Sequence, residues 1–145
     1  LHRMDPGAAG LHLLPPLAPG GVIELTTTAD TPPETLARAR ELAAALGQHA
    51  ELVGDAPGLV LGRIACQLVN EAAFLIGEGN GTAEDVDAGL ELGVNHPRGP
   101  VAWSDDIGLA HVTTVLGALR RERGEAYRTA PLLAQRAALG AGLAG

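Results

Sequence analysis

From Val22 to Thr28 the chain reads Val-Ile-Glu-Leu-Thr-Thr-Thr, a β-branched run preceded by Gly20-Gly21. That pattern predicts a short β-strand. Thr31-Pro32-Pro33-Glu34 then reads as a helix start, with Thr31 as N-cap, Pro32 at the first helical position and Glu34 closing a capping box. Leu36, Ala39, Ala43 and Leu46 recur at helical spacing, and Gly47 suits the left-handed residue that ends a helix. His49 to Val53 reads as a second strand. Strand, helix and strand within about thirty residues form a βαβ unit, which implies a parallel sheet. One such unit is too small to stand alone and needs more sheet.

The pattern changes at Asp55-Ala56-Pro57-Gly58. Leu59 to Gly77 carries apolar side chains on nearly every face, the mark of a buried central helix. Arg63, Gln67, Asn70 and Glu71 interrupt it enough to exclude a membrane span. Thr82-Ala83-Glu84-Asp85 is a second capping box, opening a helix that ends near Gly93. Asn95-His96-Pro97-Arg98-Gly99-Pro100 must be a tight loop, and Pro100 is placed to begin the next helix. Leu109 to Arg121 is amphipathic, with Val112, Val115, Leu116 and Leu119 on one face. A short helix follows Pro131. The chain therefore reads as the end of an α/β domain up to about Asp55 and an all-helical domain from Pro57 onward.

Composition narrows the functional classes. Of 145 residues 46% are hydrophobic but only 2% aromatic, so Leu, Val, Ile and Ala must fill the core. The net charge of −7 argues against nucleic acid, whose phosphates call for a basic face. The densest basic cluster, Arg120, Arg121 and Arg123, reads as a solvated helix end. Cys66 is the single cysteine; it sits in an apolar run and reads as a small core hydrophobe. There is no signal peptide or membrane-spanning stretch, so a cytoplasmic location is the expectation. The chain opens at Leu1 rather than Met, which points to a beginning further upstream.

One histidine and one glutamate carry the candidate chemistry. His12 lies in Gly10-Leu11-His12-Leu13-Leu14-Pro15-Pro16, a strand-like run halted by two prolines. Glu24 lies inside the first predicted strand, where a carboxylate needs a partner to be buried cheaply. An imidazole would supply it, and the carboxylate would fix the ring's tautomer, giving a general acid/base pair. The spacing alone also allows a surface glutamate and a loop histidine that never meet. His96 reads as a turn-shaping residue bonded to a backbone carbonyl, His111 as a packing residue on a helix, and His2 and His49 carry no signal. No acidic cluster accompanies the five histidines, so no metal site is expected. Gly140-Ala141-Gly142-Leu143-Ala144-Gly145 has the letters of a dinucleotide-binding loop without the strand before and helix after that give it meaning.

Taken in order, Asp55-Ala56-Pro57-Gly58-Leu59-Val60-Leu61-Gly62-Arg63, Asn70-Glu71-Ala72, Glu84-Asp85-Val86-Asp87, Leu92-Gly93, Pro97-Arg98-Gly99-Pro100, Asp105-x-x-Gly108-Leu109 and Pro131-Leu132-Leu133 resemble the C-terminal domain of 3-hydroxyacyl-CoA dehydrogenases. The segment before them resembles the end of that family's NAD-binding domain. The resemblance is nearest to the second C-terminal repeat of fused bacterial 3-hydroxybutyryl-CoA dehydrogenases. It implies a mainly α fold: a 6-phosphogluconate-dehydrogenase-like C-terminal helical domain over residues 56–145, preceded by a truncated Rossmann-like βαβ segment over residues 1–55.

The resemblance implies that His12 takes the proton from the substrate's 3-hydroxyl, with Glu24 as its orienter. It also implies NAD, bound by a domain absent from this chain, an acyl-CoA substrate, and a homodimer formed through the helical domain. The expected reaction interconverts 3-hydroxyacyl-CoA and 3-oxoacyl-CoA in fatty-acid or related acyl-CoA metabolism. Two departures stand out. The family's Phe-Phe-Asn-Pro after the histidine is Leu13-Leu14-Pro15-Pro16, and its Val-Asn-Arg is Leu61-Gly62-Arg63. Two site asparagines are thus replaced by Pro15 and Gly62. The alternative they raise is a non-catalytic duplicated module that provides dimerisation and closes the acyl-CoA cleft.

Overall fold

Strand β2 (Val22–Thr27) is the middle of a three-stranded sheet in the computed structural model, which describes residues 5–144. His2 and Gly145 lie outside the described residues. Strand β1 (Ala9–His12) pairs antiparallel with β2, and β3 (His49–Leu52) pairs parallel with β2 on the other side. Helix α1 (Pro33–Ala45) makes the β2–β3 crossover, as the βαβ pattern predicts. Ile23 and Leu25 project from one face of β2 onto Ala43, with Leu36 and Ala39 of α1 packed around them. Strand periodicity sends Glu24 and Thr26 to the opposite face, and both are buried there.

The start of α1 differs from expectation. Its N-cap is Pro32, the helix opens at Pro33, and no side chain caps it. The Thr31 hydroxyl instead donates to the Ala8 carbonyl at 2.7 Å and accepts the Thr28 amide at 2.8 Å. Thr31 thereby ties the entry of β1 to the β2–α1 turn. A tertiary partner outcompetes the local one, and two successive prolines leave few amides for a cap to satisfy.

The chain divides into two compact units between Gly62 and Arg63. The second unit is helical. Helix α2 runs Leu61–Gly77, followed by α3 (Ala83–Val94), α4 (Pro100–Ile107), α5 (Leu109–Arg123) and α6 (Pro131–Leu139), with a 3₁₀ turn at Glu125–Tyr127. Cys66, Val69, Ala72 and Ala73 of α2 pack with Val101, Leu109, Val112, Val115, Leu116, Leu119 and Leu133. Burial pushes the Cys66 thiol up to about 11. Among the described residues, no helix is long and apolar enough to cross a membrane.

Helix α2 corrects one expectation. It is not buried all round: Ile64 is 55% exposed and Leu75 44% exposed. The small side chains at positions 66, 69, 72 and 73 make the tightly packed face, with Phe74 and Ile76 partly buried against it and Ile64 and Leu75 outside. His111 is a second correction, because it stands exposed on α5 while its neighbours Val112 and Val115 go inward.

Polar joints hold the helices in place. Thr82 caps α3 by accepting the Asp85 amide at 3.1 Å, while Asp85 accepts the Thr82 amide at 2.9 Å and hydroxyl at 2.7 Å. These bonds, the hydroxyl's foremost, hold the Asp85 carboxyl below its ordinary value. Asp87 reaches across to α4, accepting the Val101 amide at 2.8 Å and the Ala102 amide at 2.9 Å. Glu91 accepts the Gly99 amide at 2.6 Å. The unsatisfied amides that open α4 are thus capped by the neighbouring helix rather than by their own. A Cβ at Gly99 would overlap the Asp87 carboxyl, so only glycine fits. Asn70, 1% exposed, donates to the Arg128 carbonyl at 2.9 Å and accepts the Ala130 amide at 2.8 Å, fixing the entry to α6.

Two tests follow from these joints. Asn70→Ala orphans the part-buried Arg128 carbonyl and the buried Ala130 amide, and is expected to lower the unfolding free energy by about 1–3 kcal/mol in urea titration. Asp85 has its folded value depressed, so its contribution is present above the ordinary 3.8 and is lost as pH falls through the lowered folded value. Wild type and Asp85→Ala are therefore expected to differ in melting temperature at neutral pH and to converge in acid. A gap that persists in acid would mean the box does not act through ionised Asp85.

Candidate acid–base site

His12 and Glu24 are directly opposed across the β1–β2 ladder. Opposed residues in an antiparallel pair project from the same face, so the strand register itself brings imidazole and carboxylate together. His12 Nδ1 lies 3.0 Å from Glu24 Oε2. The Glu24 side chain is 3% exposed and that of His12 18% exposed, so the ring alone of the pair reaches the surface.

The second carboxylate oxygen is also occupied. Glu24 Oε1 accepts the Val60 amide at 3.1 Å and the Leu61 amide at 3.0 Å. These are amides of the entry to α2, which an ordinary helix leaves without intrahelical partners. The turn before them delivers them. Leu59 donates its amide to the Ala56 carbonyl at 3.0 Å, and Gly58 and Leu59 both take left-handed conformations, with φ of 72° and 48°. Leu59 is one of two non-glycine residues with positive φ among those described, a strained choice for a leucine. The strain is localised at the turn that aims two amides at Glu24.

With Oε1 bound to two amides and Oε2 facing the ring, Glu24 acts as acceptor and His12 Nδ1 carries the proton. Nε2 is then left with its lone pair, the arrangement of a general base whose tautomer is set by its partner. The spacing in the sequence left the pair open, and the family resemblance favoured it. Neither pointed to the Val60 and Leu61 amides, since backbone donors leave no trace in residue identity; the Asp55-Ala56-Pro57-Gly58 turn is the nearest signal.

The other described histidines, His49, His96 and His111, do not join this pair. His96 Nδ1 lies 2.8 Å from the Arg98 carbonyl, and its ring meets Trp103 edge-on at 5.4 Å, so it shapes the α3–α4 turn as expected. His49 and His111 are exposed. Arg120 pairs with Glu125 at 2.8 Å on an exposed helix end. Among the described residues, no three His, Cys, Asp or Glu side chains stand together as a metal-binding group.

Nor do the described residues fit a dinucleotide. The β2–α1 connection, Thr28-Ala29-Asp30-Thr31-Pro32, contains no glycine. Gly140 closes α6 in the left-handed conformation, so the glycine string follows a helix where the motif requires a strand. Its last residue, Gly145, is outside the described residues.

The described residues thus place a His–Glu pair on a small sheet, followed in the chain by five helices. The family model described as the C-terminal domain of 3-hydroxyacyl-CoA dehydrogenase matches residues 58–142, and the chain belongs to that family. It is 32% identical over 125 residues to 3-hydroxybutyryl-CoA dehydrogenase of Bradyrhizobium diazoefficiens, covering 86% of this chain and 43% of the relative. The crystal structure of (S)-3-hydroxybutyryl-CoA dehydrogenase from Ralstonia eutropha is similar with a TM-score of 0.76 and 36% identity, covering 91% of this chain and 47% of that one. The 3-hydroxybutyryl-CoA dehydrogenase from Escherichia coli K12 gives a TM-score of 0.78 at 31% identity, covering 86% of this chain and 26% of that one. The chain thus spans less than half the length of these relatives.

Glu24→Gln tests the tautomer. The amide oxygen can still accept from Val60 and Leu61, but the NH₂ group then donates to Nδ1 and moves the ring proton to Nε2. Ring ¹⁵N shifts are expected to exchange between the two nitrogens, and unchanged shifts would contradict the assignment. Glu24→Ala, which leaves the two amides without an acceptor, is expected to cost about 1–3 kcal/mol of stability per group.

Proposed function

We propose that this chain is the part of an NAD-dependent 3-hydroxyacyl-CoA dehydrogenase that carries its acid/base group, and that the enzyme interconverts 3-hydroxyacyl-CoA and 3-oxoacyl-CoA. The observation that carries the reading is His12 Nδ1 held 3.0 Å from a Glu24 whose other oxygen is bound by two amides. Family membership supports the substrate class, and the relatives' names suggest a 3-hydroxybutyryl-sized acyl group. On this reading residues 1–55 end a Rossmann-like domain and residues 56–145 form the helical substrate domain. NAD, which supplies the hydride-accepting chemistry, would be held by residues outside those described.

The chain's own part is proton transfer. In oxidation, His12 Nε2 accepts the proton of the substrate 3-hydroxyl, and the C–O bond becomes the carbonyl as the C3 hydride leaves. In reduction, the imidazolium returns the proton to the developing alkoxide. Glu24 stabilises the imidazolium and holds the ring at Nδ1, so little reorganisation accompanies the step. The complete gene product should reduce acetoacetyl-CoA with NADH, and His12→Ala should lower kcat by about 10²–10⁴-fold. Wild-type turnover in that variant would remove His12 from the mechanism.

A second reading rests on a different observation. The uncovered stripe of α2 includes Ile64 and Leu75, and Leu75 lines a groove of about 400 Å³ together with Leu68, Val86 and Leu90. Apolar surface left open on a small domain suits a subunit interface. Pro15 and Gly62, in place of two polar side chains, fit a module kept for assembly rather than catalysis. A homodimer in sedimentation, together with no turnover in the complete gene product, would favour it.

A further inference from the structure

Asn80 and Gly81 fill the space between two finished helix ends. Helix α2 closes on a left-handed Gly79, at φ 74°, and the Asn80 amide donates back to the Leu75 carbonyl at 2.9 Å. Helix α3 opens just beyond, where Thr82 and Asp85 cap each other. Asn80 is exposed, and its Nδ2 donates to Glu78 Oε2 at 3.1 Å. The Gly81 amide donates to no backbone carbonyl among the described residues.

An asparagine carboxamide is open to attack by the amide nitrogen of the residue that follows it. A side chain on that residue hinders the approach, and a hydrogen-bonded amide is less free to make it. Gly81 has neither obstacle, and glycine takes up the required backbone angles at little cost. The chain's other asparagines are guarded. Asn70 is followed by Glu71 inside α2, and its side chain is committed to Arg128 and Ala130. Asn95 is followed by His96, whose amide donates to the Leu90 carbonyl at 3.1 Å.

We propose that the Asn80-Gly81 joint is a self-modifying site that converts Asn80 to aspartate and isoaspartate, and that the isoaspartate form opens the cap of α3. The Gly81 nitrogen bonds to Asn80 Cγ as the Cγ–Nδ2 bond breaks. The proton given up by the amide leaves with Nδ2 as ammonia, and a succinimide ring remains. Water then adds to one of the two ring carbonyls. Opening at Cγ restores the ordinary peptide bond and leaves an aspartate. Opening at the other carbonyl routes the main chain through Cβ and Cγ, which adds one carbon, about 1.5 Å of chain. That length is inserted between two fixed points, the Asn80 amide on Leu75 and the Thr82 cap, and it displaces Thr82 from Asp85. Either product also sets a new carboxylate on the rim of the groove that Asn80, Gly81 and Asp85 line.

The test is incubation of the full chain in warm neutral buffer, read by peptide mass spectrometry and by labelling with an isoaspartate-specific methyltransferase. The peptide holding residue 80 is expected to gain the mass difference between an amide and an acid and to take up label. Peptides holding Asn70 and Asn95 should do neither. An unfolded peptide of residues 76–86 shows that the conditions suffice. Conversion of that peptide with none in the folded chain would overturn the proposal, whatever any variant does. Gly81→Ala sets a Cβ 3.6 Å from Asp85 Cβ, an ordinary contact, so it should keep the fold and lose the conversion. Conversion at the wild-type rate in Gly81→Ala would also overturn it. For the cap, the isolated isoaspartate form should melt below Asn80→Asp, which carries the charge without the longer chain. Equal melting temperatures would overturn the effect on α3.

Discussion

A carboxylate on the inner strand of a small sheet is the constraint around which the first unit is arranged. Burying Glu24 without partners would cost several kcal/mol, on the order of the stability of a whole domain. Its partners come from two remote places: a ring on β1 and two amides at the entry to α2. The β1–β2 register must therefore be the one that opposes His12 and Glu24. A shift by one residue would send the two side chains to opposite faces. The turn at Pro57-Gly58-Leu59 must likewise bring the Val60 and Leu61 amides to Oε1, even with a leucine in a left-handed conformation.

That arrangement also accounts for the chemistry the site offers. Glu24 is held by donors on both oxygens, so it orients the ring without moving when the ring changes charge. His12 is the member of the pair that reaches the surface. On the proposed reading, preorganisation of this kind lets His12 serve as base in one direction and acid in the other.

In the helical unit the dependence runs through backbone capping. Family resemblance was carried by Asn70, Glu84-Asp85-Val86-Asp87, Gly99-Pro100 and Gly108, and several of these turn out to be joints between helices. Asp85 closes the cap of α3, Asp87 caps α4 from outside, and Asn70 clamps the start of α6. Gly108, at φ 84°, ends α4 and begins α5 with no intervening loop. Family-specific letters here report how neighbouring helices satisfy each other's end groups.

Much of this could be read from the chain alone. The β-branched run predicted β2, the 3.6-residue spacing predicted α1 and α5, and Thr82-x-x-Asp85 predicted the start of α3, because these signals act within a few residues of backbone. The spacing of His12 and Glu24 allowed both a pair and two unrelated residues, and the family resemblance favoured the pair. Tertiary structure decided what local signals cannot: Thr31 left its helix to bind the Ala8 carbonyl, His111 faced outward, and one stripe of α2 stayed uncovered. It alone opposed His12 to Glu24 and supplied two backbone amides to the carboxylate. Those features join segments tens of residues apart, and side-chain identity carries no record of where a remote amide will point.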